Sequence, residues 1–175
     1  MNNPEKDRTP AAQFKTNGRV LTLTVGPPAS GKSTFARAAG FDVAVCLDDF
    51  RESLWGDRRI QDGPGGTEAL LVLQDAVISA AMQESKSIIV HNTNIFRQYR
   101  MPIVELAKKH GYRTQIVYFD IPADACRQRN RLREDRVPEA VMDSFFANTE
   151  PPARDEADLV VRFSELNAGQ PTALS

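Results

Sequence analysis

Cysteine is scarce in this 175-residue chain, with only Cys46 and Cys126. Two distant thiols cannot build a disulfide framework and offer no metal-binding spacing, so both are expected as buried, reduced side chains suited to a reducing compartment. Long apolar runs are missing too. Nothing approaches the roughly 18 residues needed to cross a bilayer, and the polar start lacks the apolar core of a secretion signal. The expectation is a cytoplasmic chain with no membrane partner. Strong charge of either sign is also absent: the net value of -1 excludes a generally basic nucleic-acid coat, so any polyanion must be met by a local patch. There is no internal repeat and no low-complexity segment.

What is present suits one globular domain: 41% hydrophobic and 26% charged residues supply a sizeable core. Residues 1–18 and 164–175 read as loose polar tails around a domain spanning 19–163. Inside it, short apolar runs alternate with helical patterns. Strands are expected at 19–25, 42–47, 87–91, 113–120 and 159–163. Helices are expected at 32–39, from Phe50, at 67–83, 101–110, 123–133 and 138–147. Continuous apolar strands separated by helices imply an α/β architecture, a doubly wound parallel sheet of four to five strands flanked by helices. Ligands of such sheets sit at the carboxyl ends of the strands.

The first strand end carries the clearest motif. Gly26-Pro27-Pro28-Ala29-Ser30-Gly31-Lys32-Ser33 matches G-x-x-x-x-G-K-[ST] at every defined position, between a strand and a helix. Backbone N–H groups of such a loop, extending to Thr34, wrap a phosphate where the helix dipole also favours an anion. Lys32 adds a positive charge and Ser33 a hydroxyl ligand for Mg2+. The motif therefore implies ATP or another nucleoside triphosphate, with a P-loop NTPase-type fold.

The second strand runs into Leu47-Asp48-Asp49-Phe50-Arg51-Glu52. Asp49 to Glu52 fits a capping box, which accounts for Asp49 and leaves Asp48 free to accept a proton from an attacking hydroxyl. Arg51, one turn on, is placed to hold an acceptor phosphate through its fork, or else to pair with a nearby acid. Phe50 and Trp55 suit packing better than stacking on a base. After the third strand, Asn92 stands where many P-loop enzymes carry a magnesium-directed acid; its amide can bond a water or hydroxyl but brings no charge. His91 reads as a packing residue rather than a base.

The local positive patch lies in Arg127-Gln128-Arg129-Asn130-Arg131-Leu132-Arg133-Glu134-Asp135-Arg136. Arg129 and Arg133 are four apart and share a face of the expected helix. Residues 127–137 read as an arginine-rich lid over the phosphates, although a solvated charged face explains many such runs.

Together these residues resemble the 5′-hydroxyl polynucleotide kinases, the kinase domain of phage and bacterial end-healing enzymes. The likeness runs from Val20 to Ala147. It covers the P-loop, Asp48-Asp49-Phe50-Arg51, Asn92-Thr93-Asn94, Tyr118-Phe119-Asp120-Ile121-Pro122, and the lid from Arg129-Asn130 through Arg133 to Val137-Pro138. The resemblance implies that Lys32 and the loop amides hold the donor phosphates and Ser33 ligates magnesium. It makes Asp48 the general base for a DNA or RNA 5′-hydroxyl, Arg51 the grip on the neighbouring phosphate, and Arg129 and Arg133 the stabilisers of the transition state. It also implies a location in a bacterial or phage-infected host cytoplasm. Asn92 replaces the family's acid, at a place facing the acceptor. No phosphatase or ligase domain follows, so a stand-alone kinase is expected, with the oligomeric state open and a homo-oligomer included. A kinase of small-molecule hydroxyls (sugars, nucleotide sugars, antibiotics) shares most of these features. A non-catalytic nucleotide-binding regulator needs neither Asp48 nor the arginines.

Overall fold

A computed structural model describes residues 18–58 and 66–167. The expected tail at 1–17, most of the Gly-rich loop before residue 66 and the last eight residues lie outside the described part. Its sheet is wholly parallel: β1 (Val20–Val25), β2 (Val43–Val45), β3 (Ile88–Val90), β4 (Arg113–Tyr118) and β5 (Leu159–Arg162) are ordered β2-β3-β1-β4-β5. Among the described residues seven helices flank it: α1 (Lys32–Ala39), α2 (Leu47–Trp55), α3 (Gly66–Gln83), α4 (Arg97–Lys109), α5 (Ala123–Arg131), α6 (Glu139–Asn148) and α7 (Phe163–Asn167). The expected doubly wound α/β fold is the one found.

Period-two alternation decides which residues meet which helices. Leu21, Leu23, Val25, Ile88, Val90 and Ile116 point to one face, where Ile78, Ala81 and Met82 of α3 and Ile103, Val104 and Ala107 of α4 cover them. Ile89, Val117 and Phe119 point to the other, against Phe35, Ala36 and Ala39 of α1. Each of these valine, leucine, isoleucine, methionine and phenylalanine side chains withdrawn from water stabilises the fold by about 1.5–3 kcal/mol. The buried threonines of the central strand are satisfied by hydrogen bonds: Thr22 Oγ1 donates to Gln115 Oε1 at 3.1 Å, and Thr24 Oγ1 to the Asn92 carbonyl at 3.4 Å.

Several boundaries move. α4 starts four residues before the expected 101 and continues through Pro102, although proline has no N–H to give the carbonyl one turn back. The helix expected over 123–133 stops at Arg131, because Leu132 and Arg133 tighten into three-residue bonds to Arg129 and Asn130. The chain expected to loosen at residue 164 continues as α7. Phe163 stacks on Phe119 at 4.4 Å, Leu166 joins the same cluster, and Asp120 accepts both the Ser164 N–H and hydroxyl.

One buried charge pair braces the segment that follows β3. The fully buried Arg100 of α4 binds Glu156 at 2.6 and 2.9 Å and donates to the carbonyls of Asn94, Ile95 and Glu150. Every carbonyl it satisfies belongs to a loop, so this guanidinium stands in for missing secondary structure.

Candidate active site

The P-loop is built where β1 ends in the middle of the sheet. Gly26 adopts φ 153° with its α-carbon so close to Phe119 that an added Cβ would lie 2.9 Å from the Phe119 Cβ. Only glycine fits. Ala29 at φ 60° and Gly31 at φ 105° complete the turn, and Gly31 caps α1. Lys32 follows and is buried, its Nζ donating to the Pro27 carbonyl at 2.6 Å and to Ser30 Oγ at 3.2 Å. Burial pulls the Lys32 ammonium down to about 8, opposed by Cys126, Cys46 and Asp48 and assisted by Arg133. Two polar acceptors for a desolvated cation leave it short of negative charge, the deficit that a triphosphate supplies. Ser33 exposes its hydroxyl at the start of α1. A hard oxygen beside a phosphate cradle, with room for waters, fits Mg2+.

The second strand end differs from expectation. β2 stops at Val45 and the chain enters α2 at once, with Cys46 as N-cap and Asp48 and Asp49 in the first turn. The early start has a cause: Asn92 Oδ1 takes the Leu47 N–H at 2.8 Å, satisfying a donor that the helix start would leave orphaned. Asp49 is therefore no N-cap, and its carboxylate binds Arg58 instead. Asp48 is exposed and pairs with Arg51 at 2.9 Å across one turn. Its charge acts on both Lys32 and Arg133, which brings the base candidate, the loop lysine and the lid arginine into one electrostatic neighbourhood. Phe50 packs on the core, whereas Trp55 at the far end of α2 is exposed.

Asn92 is largely occupied. Besides accepting from Leu47, its Nδ2 donates to Gln74 Oε1 at 2.8 Å. The amide is a clamp between β3, α2 and α3, and Gln74 is a partner that the sequence reading missed. A signal existed: Leu70, Gln74 and Ile78 are spaced on one buried stripe, where a glutamine has to find a polar partner. Beside this clamp a cavity of about 340 Å³ opens between α3 and α4, with Leu47, Gln74, Phe96, Tyr99 and Phe145 in its wall.

The arginines of the lid divide into two sets. Arg127 reaches Asp124, Glu139 and Asp143 and lies over Phe146, while Arg131 reaches Glu139, so these two tie α5 to α6. Arg129 turns the other way, its Nη1 donating to the Ser30 carbonyl of the P-loop at 3.4 Å. Arg133 lies beyond the helix end, so it does not share a helical face with Arg129, but it still acts on Lys32. Its guanidinium is held by both carboxylate oxygens of Asp135, which raises its pKa further. The loop between is closed by Asn130, whose amide exchanges two hydrogen bonds with the Val137 backbone at 2.8 and 3.0 Å.

A phosphate loop at the centre of a parallel sheet, with a carboxylate and arginines around its lysine, defines the class of P-loop proteins. Residues 21–152 match the model of one family in that class, described as an AAA domain, and the chain belongs to it. The L-seryl-tRNA(Sec) kinase of Methanococcus maripaludis is 23% identical over 155 residues, covering 83% of this chain and 60% of that protein. Among solved structures, a chain of the Pnkp1/Rnl/Hen1 RNA repair complex superposes with TM-score 0.63 at 23% identity, over 78% of this chain and 46% of that one. A sugar kinase from Janibacter gives TM-score 0.59 at 22% identity, with 87% of each chain covered. The fold is that of P-loop kinases. The chain spans about 60% of the length of the tRNA kinase and less than half of the repair-complex chain. Among the described residues no helix is long and apolar enough to cross a membrane.

Proposed function

We propose that the protein transfers the γ-phosphate of ATP or another nucleoside triphosphate to the 5′-hydroxyl end of DNA or RNA. The observation that carries this reading is the Asp48–Arg51 pair on the first turn of α2, with the Asp48 charge felt by Lys32. A carboxylate and a guanidinium one turn apart can serve one acceptor nucleotide: the carboxylate its hydroxyl, the guanidinium its phosphate.

In this mechanism the P-loop amides and Lys32 hold the β- and γ-phosphates. Mg2+ at Ser33 would neutralise charge on the donor oxygens. Asp48 accepts the proton of the 5′-hydroxyl as its oxygen attacks the γ-phosphorus, and the bond to the bridging oxygen of the departing nucleoside diphosphate breaks. Arg129 and Arg133 then stabilise the negative charge of the transferring group, as arginines do in phosphoryl transfer. Arg51 leaves Asp48 for the acceptor phosphate, freeing the carboxylate when substrate is present. The names of two similar proteins, a kinase of seryl-tRNA and an RNA repair complex, support an RNA-borne acceptor.

The cavity beside Asn92 favours a second reading, in which a small-molecule hydroxyl is the acceptor, because about 340 Å³ is enough for one sugar or nucleoside. Labelled ATP offered with a 5′-hydroxyl oligonucleotide, and separately with a panel of sugars, nucleosides and aminoglycosides, separates the two. Labelled oligonucleotide is the expected product; label on small acceptors alone would sink the nucleic-acid reading.

A further inference from the structure

Beside the phosphate loop, and outside the roles assigned above, a second group of side chains converges. Cys46, Asp49 and His91 each place one donor atom within 4.8 Å of the other two. Strand pairing creates the encounter. Val45 is in register with Val90, and the His91 N–H donates to the Val45 carbonyl at 2.9 Å, so the residues that follow β2 and β3 emerge side by side. Asp49 reaches the same point from the first turn of α2. Cys46 and His91 are 5% and 8% exposed, while Asp49 lies at the rim with Arg58 on its carboxylate.

An independent observation concerns the imidazole. His91 Nδ1 is a buried polar side-chain atom with no hydrogen-bond partner, the sole example among the described residues. Such an orphan keeps the desolvation cost of a polar atom with no bond to offset it, and a native fold seldom keeps one without a use. Burial also holds the His91 pKa below its ordinary value, so the ring is neutral at physiological pH, the form that donates a lone pair to a cation.

We propose that Cys46, Asp49 and His91 form a binding site for a thiophilic divalent cation of the Zn2+ type, with a fourth position open to water. Sulfur, imidazole nitrogen and carboxylate oxygen are the donor types found around zinc. Bond lengths of about 2.0–2.3 Å give tetrahedral edges of roughly 3.3–3.7 Å, so the three donors need draw in by only about 1 Å. Asp49, at the open side, supplies most of that movement, and Arg58 remains as an outer partner of its carboxylate. Thiolate ligation selects against Mg2+, which separates this site from the one at Ser33. The bound ion would join the ends of β2 and β3 to the first turn of α2, the turn that carries Asp48. The Cys46 thiol loses its proton to solvent on binding, so uptake of metal releases a proton.

The test uses the reduced full chain and Co2+ as a spectroscopic probe for Zn2+. One Co2+ per chain is expected, with a thiolate-to-cobalt charge-transfer band that added Zn2+ bleaches and millimolar Mg2+ does not. Cys46→Ser and His91→Gln are expected to remove the band and weaken Zn2+ binding by about two orders of magnitude, with unchanged circular dichroism. Cys126→Ser is expected to keep both. No thiolate band in the unmodified chain, or binding retained in folded Cys46→Ser, overturns the assignment.

Discussion

The Lys32 ammonium offers the sharpest quantitative test. Its depression from 10.5 to about 8 corresponds to about 3 kcal/mol of unfavourable charge burial. The sign for stability follows from proton counting. Between pH 8 and 10.5 the unfolded chain keeps a proton that the folded chain has released, so this group makes the fold more stable as pH rises across that window. Nucleotide binding runs the other way. The phosphates supply the negative charge that the pocket lacks and restore the ammonium, so binding above pH 8 must take up a proton. At pH 9 the uptake is about 0.9 proton per site, and the dissociation constant rises about tenfold per pH unit from there to 10.5. Titration calorimetry of Mg-ATP at pH 7 and 9, in buffers of different ionisation enthalpy, measures the uptake directly. Lys32→Met removes the pH-dependent part and serves as the control. A proton uptake near zero at pH 9, or an affinity flat from pH 7 to 9.5, would refute the argument that burial governs this lysine.

Four further outcomes are expected. Asp48→Ala lowers phosphoryl transfer by about 10²–10⁴-fold while leaving the Mg-ATP dissociation constant within a few-fold, read by single-turnover kinetics and equilibrium titration; near-normal turnover removes Asp48 from the mechanism. Gly26→Ala forces a Cβ against Phe119 and costs about 1–3 kcal/mol of stability together with nucleotide binding, both measurable by denaturant titration with and without ATP. Glu156→Gln leaves Arg100 buried without a counter-charge and costs about 3–5 kcal/mol. Burial opposes the ionised form of Glu156, but the bonds from Arg100 and the Ala153 N–H hold its pKa below the usual carboxylate value. The stabilisation is thus present above the ordinary pKa near 4.5 and lost as pH falls through the folded value, and the variant's urea midpoint should lose that acid dependence. Arg129→Ala and Arg133→Ala reduce kcat, whereas Arg127→Ala, which loosens α5 from α6, lowers the melting temperature with kcat preserved; the reverse pattern contradicts the division of the lid arginines.

Much of this was legible in the chain before folding. The strand pattern works because β1, β3 and β4 are buried on both faces and so read as continuous apolar runs, and the P-loop is legible because its glycines answer backbone demands that no other residue meets. The boundaries that shifted share a different cause. α2 starts at Leu47 because Asn92, 45 residues downstream, satisfies its first free amide. α5 ends at Arg131 because Asn130 clamps Val137. α7 persists past residue 163 because Phe119 and Asp120 receive it. In each case the partner is remote or side-chain-specific, and local propensity cannot carry that information.

By itself the sequence determined the layered α/β class, the triphosphate loop and the residue types around it, because periodicity and the steric demands of a tight loop are local properties. Tertiary structure alone decided the partners. It gave Asp48 to Arg51, committed Asn92 to a clamp, split one run of arginines between a helix pair and the phosphate loop, and set a cysteine, an aspartate and a histidine around one point. Those outcomes depend on which strands lie side by side and which carbonyls are left over, and both are settled only when the sheet closes.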